Sequence, residues 1–161
     1  MPDGPRYEDD FYAWTQYQAA VLRTMRRADN RLDREHVAEE IEDLGKSARN
    51  AVRSQVVRII EHLLKLEYSP AVDPRSDWEA SVIEARQALA DSISATLQRD
   101  AQEVLPLLYA RARQLANVRL RKFAENEAAA RLPAECPYTL DQIGADDWYP
   151  ERRRTPQHQD D

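Results

Sequence analysis

The chain has 161 residues, 29 acidic against 23 basic, a formal net charge of −6 and one cysteine. That length suits one domain with one sizeable core. The acidic balance argues against a protein whose main partner is a nucleic-acid backbone. Cys136 alone permits no internal disulfide and fits a reducing cytoplasm, and no apolar run approaches the ~20 residues of a membrane span.

Met1 to Asp10 is acidic and polar, without the apolar core of a signal peptide, so a cytoplasmic protein is expected. The three glycines are too few for the tight turns of a sheet protein and lie too far apart for a phosphate-binding loop.

The first helix is expected from about Glu8 to Ala28, where Phe11, Trp14, Gln18, Val21 or Leu22, and Met25 recur at steps of three and four. Asp9 and Asp10 in its first turn suit the helix dipole, as do Arg23, Arg26 and Arg27 in its last turns. The second helix carries the strongest pattern. Val37, Ile41, Leu44, Ala48, Val52, Val56, Ile59, Leu63 and Leu66 mark one face of a helix from Asp33 to Tyr68. Asp33 is its cap, and Ser69-Pro70 ends it because proline pushes the preceding residue out of the α region. At ~1.5 Å per residue it would be about 50 Å long, with Gly45 the expected site of a bend.

Ser76-Asp77-Trp78-Glu79 reads as a capping box for a third helix with the stripe Trp78, Val82, Ala85, Leu89 and Ile93. A fourth is expected from Thr96 to Arg121 on Leu97, Ala101, Leu105, Leu108, Ala112 and Leu115. Pro106 should kink it or delay its start, and a kink is the expectation. Phe123 to Arg131 could stay helical up to the breaks at Pro133 and Pro137. Thr139-Leu140-Asp141-Gln142 is another capping box, for a short last helix. The expected fold is therefore all-α: an antiparallel bundle of four main helices around the long central one, plus a short C-terminal helix. Residues 1–150 would form one domain, and 151–161 a mobile tail.

In chain order, Tyr7-Glu8-Asp9-Asp10-Phe11-Tyr12-Ala13-Trp14, Ala38-Glu39-Glu40-Ile41-Glu42-Asp43-Leu44-Gly45, His62-Leu63-Leu64-Lys65-Leu66-Glu67-Tyr68, Trp78 and Cys136-Pro137-Tyr138-Thr139 resemble the bacterial family called domain of unknown function 29. The likeness runs from about Tyr7 to Pro150. It implies an all-helical fold and supplies no catalytic assignment. The chain departs from the family pattern at Leu66, where members often carry tryptophan, at His36-Val37, and in a longer Phe123 to Leu132 stretch.

His62 falls within about 20° of the apolar stripe and needs a partner for each ring nitrogen. Glu40 flanks the same stripe six turns earlier, and Tyr12 and Asp10 of the first helix could complete a polar pocket at other levels of the bundle. Against this stands the plainer assignment of His62 as a buried histidine satisfied by a carbonyl, tyrosine or carboxylate. No histidine follows a glutamate by three residues, and His158 sits in the tail, so neither a metal nor a cofactor is expected. Arg23, Arg26, Arg27, Arg31 and Arg34 form one basic group, and Arg111, Arg113, Arg119, Arg121 and Lys122 a second. They suit helix ends and acidic neighbours, without the interleaved aromatics of a single-strand binder. The favoured reading is a non-catalytic helical protein-interaction module, as a homodimer or with another protein. An acid–base or metal-dependent enzyme around His62, and nucleic-acid binding through the arginines, are the alternatives.

Overall fold

The structure, a computed structural model, describes residues 4–26 and 29–154. Among them are seven helices and no strand: α1 Phe11–Thr24, α2 Arg34–Tyr68, α3 Arg75–Ser92, α4 Ala95–Glu103, α5 Leu105–Lys122, α6 Asn126–Ala130 and α7 Leu140–Gly144. No described helix is long and apolar enough to cross a membrane.

Local chemistry sets most of the boundaries. The Asp10 carboxylate caps α1 by accepting from the Ala13 N–H at 2.9 Å. The helix is shorter than expected because Met25 turns extended, with ψ of 121°, and Ala28 lies outside the described residues. Asp33 caps α2, accepting from the His36 N–H and lying 2.6 Å from its Nδ1. Ser69, extended before Pro70, closes it after 35 residues, about 52 Å of helix.

Gly45 makes room for a neighbouring helix. The helix runs through it unbroken, and a Cβ there would stand 2.0 Å from Thr15 Oγ1. The missing side chain lets α1 lie directly on α2, where Gln16 donates to the Glu42 carbonyl at 3.3 Å. The expected stripe also needs one correction: Leu44 is 58% exposed.

The Ser76 capping box does not form. Pro74 takes the N-cap position of α3 without a side-chain bond, and its carbonyl accepts from Trp78 N at 3.1 Å. Proline's restricted φ prepares the first turn, so the helix is already under way at Ser76. Pro106 does not kink a fourth helix either. The chain breaks at Val104 into α4, capped by Ser94, and α5, where Pro106 falls in the first turn and its missing N–H costs nothing. The new start resets the register, so Ala116 and Leu120 are buried while Leu115 is 42% exposed.

After α5, Ala124 takes φ of +60°. The Glu125 N–H reaches the Leu120 carbonyl at 2.9 Å and the Ala124 N–H reaches Arg121 at 3.0 Å. This is a Schellman end with alanine at the position glycine usually fills. It separates α6 from α5. Thr139 and Gln142 exchange both bonds of the expected capping box, at 3.0 and 3.1 Å, and start α7.

Partner residues give the helix directions. Thr15 meets Gly45 and Arg23 meets Glu35, so α1 is antiparallel to α2. Glu84 meets Arg58 and Trp78 meets Lys65, so α3 is antiparallel as well. Arg119 meets Glu61 and Glu125 meets Ser69, so α5 returns parallel to α2. The core gathers Val52, Val56, Ile59, Ile60, Leu63 and Leu64 of α2 against α3, α5 and α7. In the segment after Pro150, Arg153 N donates to the Glu67 carbonyl at 2.7 Å and Arg152 to that of Pro70 at 2.6 Å. Residues 155–161 of the expected tail lie outside the described residues.

Candidate functional site

From Ile59 to Tyr68 every residue of α2 is buried, as is the capping Ser69, although the run includes Glu61, His62, Lys65 and Glu67. A helix flanked by α3 on one side and α5 on the other has no solvent face left there. Each charge therefore needs a partner.

Glu61 supplies the centre of one cluster. Its Oε1 lies 3.3 Å from Lys65 Nζ, one turn on, and also pairs with Arg119 of α5. The Lys65 ammonium sits 5.1 Å from the Trp78 ring centroid, closed over by α3. Burial pushes the lysine below its ordinary value, against the pull of Glu61. His62 stands beside them, with Nδ1 at 2.8 Å from the Arg58 carbonyl. A carbonyl only accepts, so Nδ1 carries the proton. Burial lowers the imidazole pKa and outweighs the carbonyl bond, with Lys65 and Arg119 adding to the lowering. Its neutral form keeps a lone pair on Nε2, which has no hydrogen-bond partner among the described residues.

Glu67 anchors a second cluster. Tyr138 Oη donates to its Oε2 at 2.6 Å, and Arg153 Nε to its Oε1 at 2.8 Å. Burial, followed by the bond to the carboxylate, drives the Tyr138 phenol well above its ordinary value. Arg86 of α3 anchors a third. Almost wholly buried, it donates to the carbonyls of Ile143 at 2.9 Å, Trp148 at 2.8 Å, Gln142 at 3.1 Å and Asp146 at 3.4 Å. Tyr149 lies against the guanidinium at 5.0 Å. One side chain thus holds the segment that follows α7.

Before the Glu61 cluster, α2 and α5 diverge into a groove of about 580 Å³ lined by Asn50, Arg53, Ser54, Val57, Arg111, Gln114 and Leu115. Arg53 is bound to Asp100 of α4 by two bonds, at 2.8 and 2.6 Å, and holds that carboxyl below its usual value. The Glu61–Arg119 pair lies one turn beyond Val57 and Leu115 on the two helices.

The expected pocket residues are dispersed. Glu40 is exposed on α2, about 33 Å along the helix from His62. Asp10 caps α1 and accepts from Thr96 N at 3.2 Å, at the α1–α4 junction. Tyr12, half-buried against the core, belongs to α1, with its carbonyl bound to Thr15 Oγ1 at 2.7 Å. His62 is accompanied instead by Glu61, Lys65 and Arg119. Among the described residues, no group of three or more His, Cys, Asp or Glu side chains could hold a metal ion. Several arginines of the two basic groups are engaged internally. Arg23 pairs with Glu42 at 2.8 Å, Arg31 with Asp29 at 2.6 Å and Arg113 with the Leu132 carbonyl at 3.3 Å, while Arg27 lies outside the described residues.

The family model described as Domain of unknown function DUF29 matches residues 6–149. The chain belongs to this family. A solved structure from Rhodospirillum rubrum, described as an alpha-helical protein of unknown function, is similar at 27% identity with a TM-score of 0.81. The likeness covers 91% of this chain and 93% of that one. No curated protein matches. That structure's alpha-helical description agrees with the all-α fold, and neither match names a function.

Proposed function

We propose that the chain is a non-catalytic helical protein-interaction module that docks a partner on the α2–α5 groove. The observation that carries this reading is a row on α5: Leu107, Leu115 and Val118 are 50%, 42% and 62% exposed. Their spacing puts them on the flank of the helix that also gives Arg111 and Gln114 to the groove. Single exposed hydrophobic residues are ordinary, whereas a row bordering a concave surface marks an interaction site. The internal saturation of the charged groups supports the same reading. Glu61 is held by two cations and Glu67 by a phenol and a guanidinium. The half-buried lone thiol of Cys136 supports a reducing compartment, the bacterial cytoplasm.

The immobilised chain is expected to retain a defined protein from its host. The double variant Leu115→Glu, Val118→Glu should lose that protein while keeping its far-ultraviolet circular dichroism. Equal retention by both would sink the reading.

A further inference from the structure

The α5 wall of the groove is charged in one sense only. From Leu105 to Lys122 it carries four arginines, one lysine and no acidic residue, in a chain whose net charge is −6. Neighbouring elements neutralise some cations around the groove and leave others. Arg53 of α2 is bound to Asp100, with Arg49 and Glu103 close enough to act on that pair, and these four charges balance. Arg119 shares the single carboxylate of Glu61 with Lys65, so the closed end of the groove keeps a positive charge. Arg111 is exposed and has no ion pair among the described residues, and no Asp or Glu of the described residues lines the groove. The two walls are in register. The Arg119–Glu61 contact, with α5 parallel to α2, brings Arg111 level with Arg53 and Leu115 level with Val57. Polar groups therefore gather at one end, Asn50, Ser54 and Arg111, and apolar ones at the other, Val57 and Leu115. Arg111 and Leu115 lie one helical turn apart, about 6 Å.

We propose that the groove takes an acidic segment of another protein, which presents a carboxylate to Arg111 and a branched apolar side chain between Val57 and Leu115. The inference rests on the docking reading given above and names the chemistry of its partner. An exposed guanidinium in a wall without acids attracts a carboxylate by charge and holds it through two parallel N–H donors. The amides of Asn50 and Gln114 and the Ser54 hydroxyl offer further hydrogen bonds around it. On the ligand the two side chains stand one helical turn apart, as Arg111 and Leu115 do. The matching pattern is an Asp or Glu three or four residues from a Leu, Ile, Val or Met. Leu107 and Val118, exposed on either side of this pair along α5, extend the contact. The concavity sets the site apart from a surface for an anionic bilayer. Protruding side chains fill a groove of about 580 Å³, and a planar layer of headgroups does not.

The test selects on the full chain from a displayed library of random peptides of about 16 residues, long enough as a helix to cover the flank from Leu107 to Val118. The selection should enrich peptides with that spacing and a net negative charge. A synthetic copy of the commonest one, followed by fluorescence anisotropy, should bind the Arg111→Glu chain at least about tenfold more weakly. Its affinity for the parent should fall between about 50 and 300 mM salt. Arg121→Glu, the same change of charge at an exposed arginine bonded to Asn117, should leave binding unchanged. Each variant should keep the far-ultraviolet circular dichroism of the parent. A selection that yields no acidic peptide, or binding that Arg111→Glu leaves intact, overturns the proposal. Sedimentation with phosphatidylglycerol vesicles that Arg111→Glu abolishes, with no peptide enriched, overturns it in favour of a membrane-facing flank. Neutral or basic peptides that Leu115→Glu, Val118→Glu releases would remove the acidic partner and leave the docking reading standing. If no peptide is enriched and that double variant still captures its host protein, both fall.

Discussion

Tyr138 and Glu67, 71 residues apart, share a buried hydrogen bond of 2.6 Å in which the phenol donates to the carboxylate. The bond joins the connection before α7 to the last turn of α2. Tyr138→Phe removes the donor and leaves Glu67 with Arg153 alone, so a loss of about 1–3 kcal/mol is expected in urea denaturation. A variant as stable as the parent would show that the bond contributes nothing net.

Glu61 and Lys65 should respond unequally to substitution. Glu61→Gln strands the buried Lys65 ammonium without its counter-charge, at a cost of about 3 kcal/mol. Lys65→Met leaves Glu61 paired with Arg119 and puts an apolar chain over Trp78, so the loss should stay under about 1 kcal/mol. Chemical denaturation of the two variants side by side checks the order, and a larger loss for Lys65→Met would contradict it.

His62 should make the fold weaker in acid. Its folded pKa lies below the ordinary 6.5 because of burial. The unfolded chain therefore binds more protons at that site between the folded value and 6.5, and stability is present above 6.5 and lost as pH falls through that window. Melting temperatures measured from about pH 7.5 down to pH 5 should fall more steeply for the parent than for His62→Gln. His36 works in the opposite sense. Its hydrogen bond to Asp33 raises its pKa, so its contribution is present below 6.5 and lost as pH rises through the raised value. The two histidines are separated by repeating the series in His36→Ala. Equal slopes for the parent and His62→Gln would refute the assignment.

Ala124 holds the left-handed conformation at the end of α5. Ala124→Gly relieves a strain of about 1–2 kcal/mol and concedes part of it to the greater freedom of the unfolded chain. A net gain of roughly 0.5–1 kcal/mol is expected by thermal or chemical melting, and a loss would mean the alanine is not strained.

What could be read from sequence was what neighbouring residues decide among themselves. Asp33 and Thr139 cap their helices because the partner N–H groups lie three residues away. Pro106 announced a break, and only its side of the break was open. Burial of charge left no such trace. Glu61 and Lys65 are spaced like an exposed ion pair one helical turn apart, and Arg86 has no carboxylate neighbour on α3 that would mark its destination. Their environments are set by α5 and by the segment after α7, more than fifty residues further on. Leu44 erred the other way. It fits the apolar period, yet among the described residues no helix covers its side of α2. His62 is buried, as its angle on the helix implies, while Glu40, Tyr12 and Asp10, at other levels of the bundle, lie apart from it.

Arg86 also imposes an order in time. Its guanidinium leaves the ribosome 62 residues ahead of the Trp148 carbonyl that accepts from it, a delay of roughly 3–12 s at ordinary translation rates. The guanidinium therefore gains its full set of carbonyl acceptors only after Trp148 has been made.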